Sequence, residues 1–99
     1  MSVPVPEETL RRVEAALAPR FRLDEVVAAS VERLLFQGVD TLLKRTVSIR
    51  VNLDGSEGSR RWFIKEAEAL GRLDHPAIRH VYEAGVNGGI AYRVGNWIE

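Results

Sequence analysis

The sequence predicts an α+β domain, and three observations carry that prediction. An apolar stripe at helical spacing runs through residues 59–73. Three short segments rich in branched and aromatic residues precede it, and two more follow it. With a short helix at the start, the predicted order is helix, three strands, helix, two strands.

Residues 6–18, PEETLRRVEAALA, open with a proline and acids in the first turn, set Leu10, Val13 and Leu17 on one face, and are closed off by Pro19. From Phe21 the period becomes strand-like, in FRLDEVVAA, RLLFQGV and TVSIRV, with a turn between Asp40 and Arg45. NLDGSEGS is turn chemistry, and Ser59 is the expected N-cap of the next helix. That helix carries Trp62, Phe63, Ala67, Leu70 and Leu73 on its apolar side, and Pro76 stops the pattern. Glu66 stands at the border of the buried stripe, where a carboxylate is either a solvated boundary residue or a partner for something on the sheet. AIRHVYEAG and IAYRVGNWI are the last two strands, joined by VNGG with its Asn-Gly hairpin signal.

Ninety-nine residues make one small domain, able to hide roughly 60–65% of the surface its unfolded chain exposes. Fourteen basic and fourteen acidic residues cancel and are interspersed, which argues against a nucleic-acid footprint. Without cysteine there is no disulfide, thiolate metal site or cysteine nucleophile. MSVPVPEE has neither a basic leader nor an apolar core, and no run of about 18 apolar residues occurs. The expectation is a cytoplasmic chain with no membrane insertion of its own, able to dock on the cytoplasmic side of a membrane complex.

Residues 20–99 resemble the N-terminal lobe of a protein kinase, above all of bacterial serine/threonine kinases. FRLDEVVAASVERLLFQGVDTLL is similar to the family's first two strands and glycine-rich loop, and TVSIRV to the strand of the valine-alanine-isoleucine-lysine motif. FIKEAEALGRLDHPAIRHVYEAG is similar to the αC helix and the corner after it, and AYRVGNWIE to the fifth strand running into the hinge. The resemblance implies a five-stranded antiparallel sheet with the 59–73 helix packed on one face, and the helix read above makes residues 1–19 an N-terminal leader helix before the lobe-like domain of residues 20–99.

For chemistry the resemblance implies mostly absence. The three loop glycines fall on Ala28, Ser30 and Arg33, where side chains resist the close backbone approach that nucleotide phosphates need. The nucleotide-contacting lysine falls on Arg50, whose planar fork does not reproduce a compact ammonium. Arg50 is expected to pair with Glu66, which matches the family's helix glutamate, as an architectural tie; the alternative leaves both side chains in water. Glu99 falls about where the hinge would lead into the second lobe, which carries the family's catalytic aspartate and magnesium ligands. No cofactor, metal or catalytic residue is therefore expected.

Other chemistry finds no support. His75 and His80, five positions apart and without cysteine, do not make a metal-site spacing, and the serines have no evident triad partners. Asp24 and Glu25, adjacent in a strand, face opposite ways.

Leu35, Ser48 and Gly95 match positions that face the family's adenine pocket, so with Arg50 they define a remnant cleft, part of which the leader helix is expected to cover. Trp97, Tyr92, Arg60 and Arg61 are the interaction candidates. For the two aromatics the alternative is a place in the core; for the arginines, placed in the first helical turn, it is simple solvation at a cost of about a few tenths of a kcal/mol. The expected role is a non-catalytic protein-interaction or structural accessory subunit of a larger assembly. The alternatives are a nucleotide-sensing regulatory module in which Leu35, Ser48 and Gly95 still hold a purine, or a piece of a longer or split kinase-like protein.

Overall fold

A computed structural model describes residues 4–72 and 80–97. Helix α1 (Glu7–Leu17) is followed by β1 (Phe21–Ala29), β2 (Arg33–Asp40) and β3 (Arg45–Asn52). Helix α2 (Glu57–Gly71), β4 (Val81–Asn87) and β5 (Ile90–Asn96) complete the chain. The five strands make one antiparallel sheet in the order β1-β2-β3-β5-β4. After α2 the chain thus starts again at the far edge and returns beside β3.

Side chains alternate across a strand, so the register sorts the residues onto two faces. Leu34, Phe36, Ile49, Val51, Tyr92 and Val94 share one face, and α1 buries Val13 and Leu17 in the same cluster. The first helix thus contributes two residues to the core. Leu35, Ser48, Arg50, Arg93 and Gly95 lie on the other face, where α2 packs. The expectation that the first helix covers the cleft is therefore corrected: α1 and the cleft lie on opposite sides of the sheet.

Two details of α2 also differ from expectation. Its N-cap is Ser56, whose Oγ accepts from the Ser59 amide at 3.3 Å, while Asp54 accepts from the Ser56 amide at 2.9 Å. Ser59 is instead held at the helix–sheet junction, its Oγ accepting from Asn52 Nδ2 of β3 at 3.0 Å. Arg60 consequently closes the first turn, its amide donating to the Ser56 carbonyl at 3.1 Å, and Arg61 sits past it. Phe63 and Ala67 are buried, but Trp62 is 66% exposed. Successive residues on a helix point about 100° apart, so two adjacent aromatics cannot both face the sheet. Leu73 and the corner with His75 and Pro76 lie outside the described residues.

The β4–β5 hairpin turns on Gly88 and Gly89, both at positive φ, one residue later than the Asn-Gly pair suggests. β4 begins at Val81, leaving His80 just before it, where its amide donates to Asn96 Oδ1 at 2.7 Å.

Candidate functional site

The α2-covered face holds two neighbouring cavities. One, of about 290 Å³, is lined by Leu35, Ser48, Arg50, Arg93 and Gly95 with Leu70 of α2. All four residues that the sequence assigned to a cleft are therefore brought together. Their assembly follows from register, since Leu35 pairs with Arg50 and Arg50 with Arg93, while Ser48 pairs with Gly95. A side chain at Gly95 would meet the His80 carbonyl oxygen, so a glycine there lets β4 approach the cleft wall. The second cavity, of about 250 Å³, is lined by Ala28, Ser30 and Arg33 and shares Leu35 and Arg50 with the first.

The β1–β2 connection closes on itself. The Ser30 amide donates to the Arg33 carbonyl at 2.8 Å, and the Arg33 amide donates to Ser30 Oγ at 3.1 Å. The Glu32 carbonyl accepts from the Leu53 amide at 2.7 Å, which fastens the turn to the end of β3. A loop that cradles phosphate must point free amides at it. Here the Ser30 and Arg33 amides are consumed within the turn.

Arg33 then reaches α2. Its guanidinium donates to both oxygens of Glu66, at 3.1 and 3.4 Å, and Arg93 of β5 donates to Oε1 at 2.7 Å. Both guanidiniums lie against the Phe63 ring, 5.2 and 5.0 Å from its centroid. Burial pushes the Glu66 carboxyl up, but the hydrogen bonds and charges of Arg93 and Arg33 outweigh it and hold the group below the usual carboxylate range. The sequence reading pairs Glu66 with Arg50; the contacts at this carboxylate include Arg33 and Arg93, which that reading did not name. Arg50 stands in the wall of both cavities. The missed partners had a signal: alternation places Arg33 on the same face as Leu35, and Arg93 on the same face as Gly95.

The interaction candidates divide. Tyr92 is only 5% exposed, tilted against Phe21, with its hydroxyl donating to Glu83 at 3.1 Å. Burial and Glu83 both raise its pKa, keeping the hydroxyl a donor. It is a core residue, and its candidacy is withdrawn. Trp97, just past β5, is half-buried. Arg61 pairs with Glu57 one turn back at 2.8 Å, and Arg60 donates to the carbonyls of Gly55 and Gly89, bracing α2 against the β4–β5 turn. Among the described residues no cluster of histidines and carboxylates is arranged to hold a metal, and no helix is long and apolar enough to cross a membrane.

This sheet, with a helix packed over a cleft on one face, is a kinase N-lobe-like fold. In solved structures it is similar to the apo form of PpkA-294, with a TM-score of 0.69 and 23% identity over 80% of this chain and 36% of that one. It is also similar to the kinase domain of Mycobacterium tuberculosis PknI, with a TM-score of 0.64 and 19% identity over 81% of this chain and 34% of that one. In sequence it is 33% identical over 72 residues to the probable serine/threonine-protein kinase PknB of Corynebacterium glutamicum, covering 70% of this chain and 11% of the relative. A probable serine/threonine-protein kinase of Clostridium acetobutylicum is 25% identical over 89 residues, covering 87% of this chain and 14% of the relative. No protein-family model matches the chain. The chain thus spans little more than a tenth of the curated relatives it matches, and the stretch it shares with bacterial serine/threonine kinases is the N-lobe-like part.

Proposed function

We propose that this chain is a non-catalytic interaction or structural module built on a kinase N-lobe-like fold, serving a protein partner within a larger assembly. The observation that carries the reading is the closed β1–β2 turn. At the positions that resemble a glycine-rich loop, the Ser30 and Arg33 amides are spent on each other's residues, and the Arg33 side chain is clamped on Glu66. Opening the turn toward a phosphate would cost both amide bonds and part of the ion-pair network. A lobe so closed is maintained for its surfaces rather than for phosphate transfer.

Thermal melting of the chain with millimolar ATP, with and without magnesium, tests this. The expected result is no shift, together with no transfer of labelled γ-phosphate to the chain or to a generic protein substrate. Transfer by the chain alone would overturn the proposal. The nucleotide-sensing alternative is favoured by the cavity of about 290 Å³ at Leu35, Ser48 and Gly95, at the lower edge of the range of small-molecule sites. A ligand present at 100 times its Kd stabilises a fold by about 2.7 kcal/mol, so a sensing pocket would declare itself as a rise of several degrees without turnover.

A further inference from the structure

The β2–β3 turn is an apolar tip held rigidly in an outward position. Leu42 is 68% and Leu43 55% exposed. Their amides donate to one buried carboxylate oxygen, Asp40 Oδ1, at 3.0 and 3.1 Å, and the Thr41 amide donates to the Arg20 carbonyl at 2.9 Å. Thr41 Oγ1 lies 2.8 Å from the Pro19 and Arg20 carbonyls, and the guanidinium of Arg20 donates to Asp40 in turn. Three successive amides of the tip are thus satisfied from within while its two leucines stand in water.

The surroundings of the tip are cationic and aromatic. Lys44 is exposed, and Arg45 lies 4.0 Å over the ring of Tyr82, itself 45% exposed. The nearby acids are shared among these cations: Asp40 is buried against Arg20 and lies 4.0 Å from Arg45, and Glu83 lies 3.2 Å from the Arg20 guanidinium, so Arg20, Lys44 and Arg45 outnumber the two acids.

We infer that the Leu42–Leu43 turn is a peripheral docking tip for an anionic lipid surface. The leucines enter the acyl boundary, Tyr82 lies at headgroup depth, and Lys44 and Arg45 face lipid phosphates. Satisfied amides let the tip enter a hydrocarbon boundary, which offers no partner for a backbone donor. An aromatic ring beside the tip and cations around it fit the same boundary. Two leucines and two cations make a weak, reversible contact, no stronger than the ~10⁴ M⁻¹ of a single acyl chain. The inference does not depend on the proposed interaction role, since a lobe with or without a nucleotide or protein partner would carry the same tip.

Co-sedimentation of the full chain with vesicles of equimolar phosphatidylcholine and phosphatidylglycerol tests it. The expected result is measurable binding at millimolar lipid, weakened several-fold on pure phosphatidylcholine. The double variant Leu42→Ser, Leu43→Ser is expected to bind at least about tenfold more weakly, from the apolar surface removed. Both positions are exposed, so the variant's melting temperature should stay near that of the wild type and confirm a folded control. Absence of wild-type sedimentation, or sedimentation unchanged in the double variant, overturns the inference. So does a tip that cross-links to a protein while ignoring vesicles. None of these outcomes bears on whether the chain binds ATP, so the two readings fail separately.

Discussion

Replacing Glu66 by Gln removes the charge on which Arg33 and Arg93 converge while keeping the size of the side chain. The side chain of Arg93 is only 12% exposed and that of Glu66 31%, so the network lies between a surface pair and a buried one. Exposed pairs are worth about 0–1 kcal/mol, whereas removing one partner of a buried pair costs about 3–5 kcal/mol. Glutamine retains one acceptor, which favours the lower half of that interval, and the expected loss is about 2 kcal/mol. For a domain of this size the melting temperature should fall by roughly 8–16 °C. Glu68→Gln, on the exposed side of the same helix, should move it within the ±0.5 kcal/mol typical of surface positions. A cycle with Arg93→Met separates the pair from its parts, with an expected coupling of about 1–2 kcal/mol. The pH dependence supplies a second signature. Folding holds the Glu66 carboxyl below its ordinary 4.5, so its contribution is fully present above that value and is lost as the pH falls through the lower native one. The gap in melting temperature between wild type and Glu66→Gln should therefore be constant near neutrality and narrow in acid. Equal effects of Glu66→Gln and Glu68→Gln, or a gap that widens in acid, would refute the assignment.

Leu17→Ala should cost about 2–5 kcal/mol in chemical denaturation, because its side chain is almost fully buried among sheet residues; a silent substitution would refute the place of α1 in the core. Gly95→Ala should disrupt β4–β5 pairing, read as a large drop in melting temperature, since its methyl group has no room beside the His80 carbonyl. Gly58→Ala, in the first turn of α2 with open space around it, should instead stabilise by about 0.5–1 kcal/mol. Trp62→Ala should leave stability within about 0.5 kcal/mol, since the ring is mostly in water, and tryptophan emission should lose its solvent-exposed component.

The strands were legible because the alternation of TVSIRV and the apolar, aromatic character of RLLFQGV are local properties, written in consecutive residues. The cleft was legible through the family resemblance, and the register agrees with it: parity sets Leu35, Ser48, Arg50 and Gly95 on one face and antiparallel pairing brings them together. What escaped the sequence were choices between near-equivalent residues. Ser56 and Ser59 both satisfy the chemistry of an N-cap, and the decision fell to Asn52, which takes the Ser59 hydroxyl. Trp62 and Phe63 compete for one place against the sheet, and Phe63 fills it between the two guanidiniums. The side of the sheet taken by α1 is likewise set by tertiary packing, to which an apolar stripe of its own gives no direction.

The same reasoning explains why Arg33 and Arg93 were missed as neighbours of Glu66. Matching motifs assigns one cation to one carboxylate, but the α2-covered face carries Arg33, Arg50 and Arg93 on three strands, all within the walls of two adjoining cavities. Arg33, at the start of β2, donates to both oxygens of Glu66, and its own amide closes the β1–β2 turn. Turn closure and the helix–sheet tie are therefore one arrangement. A substitution that reopens the turn should loosen α2, and one that releases Glu66 should free the turn.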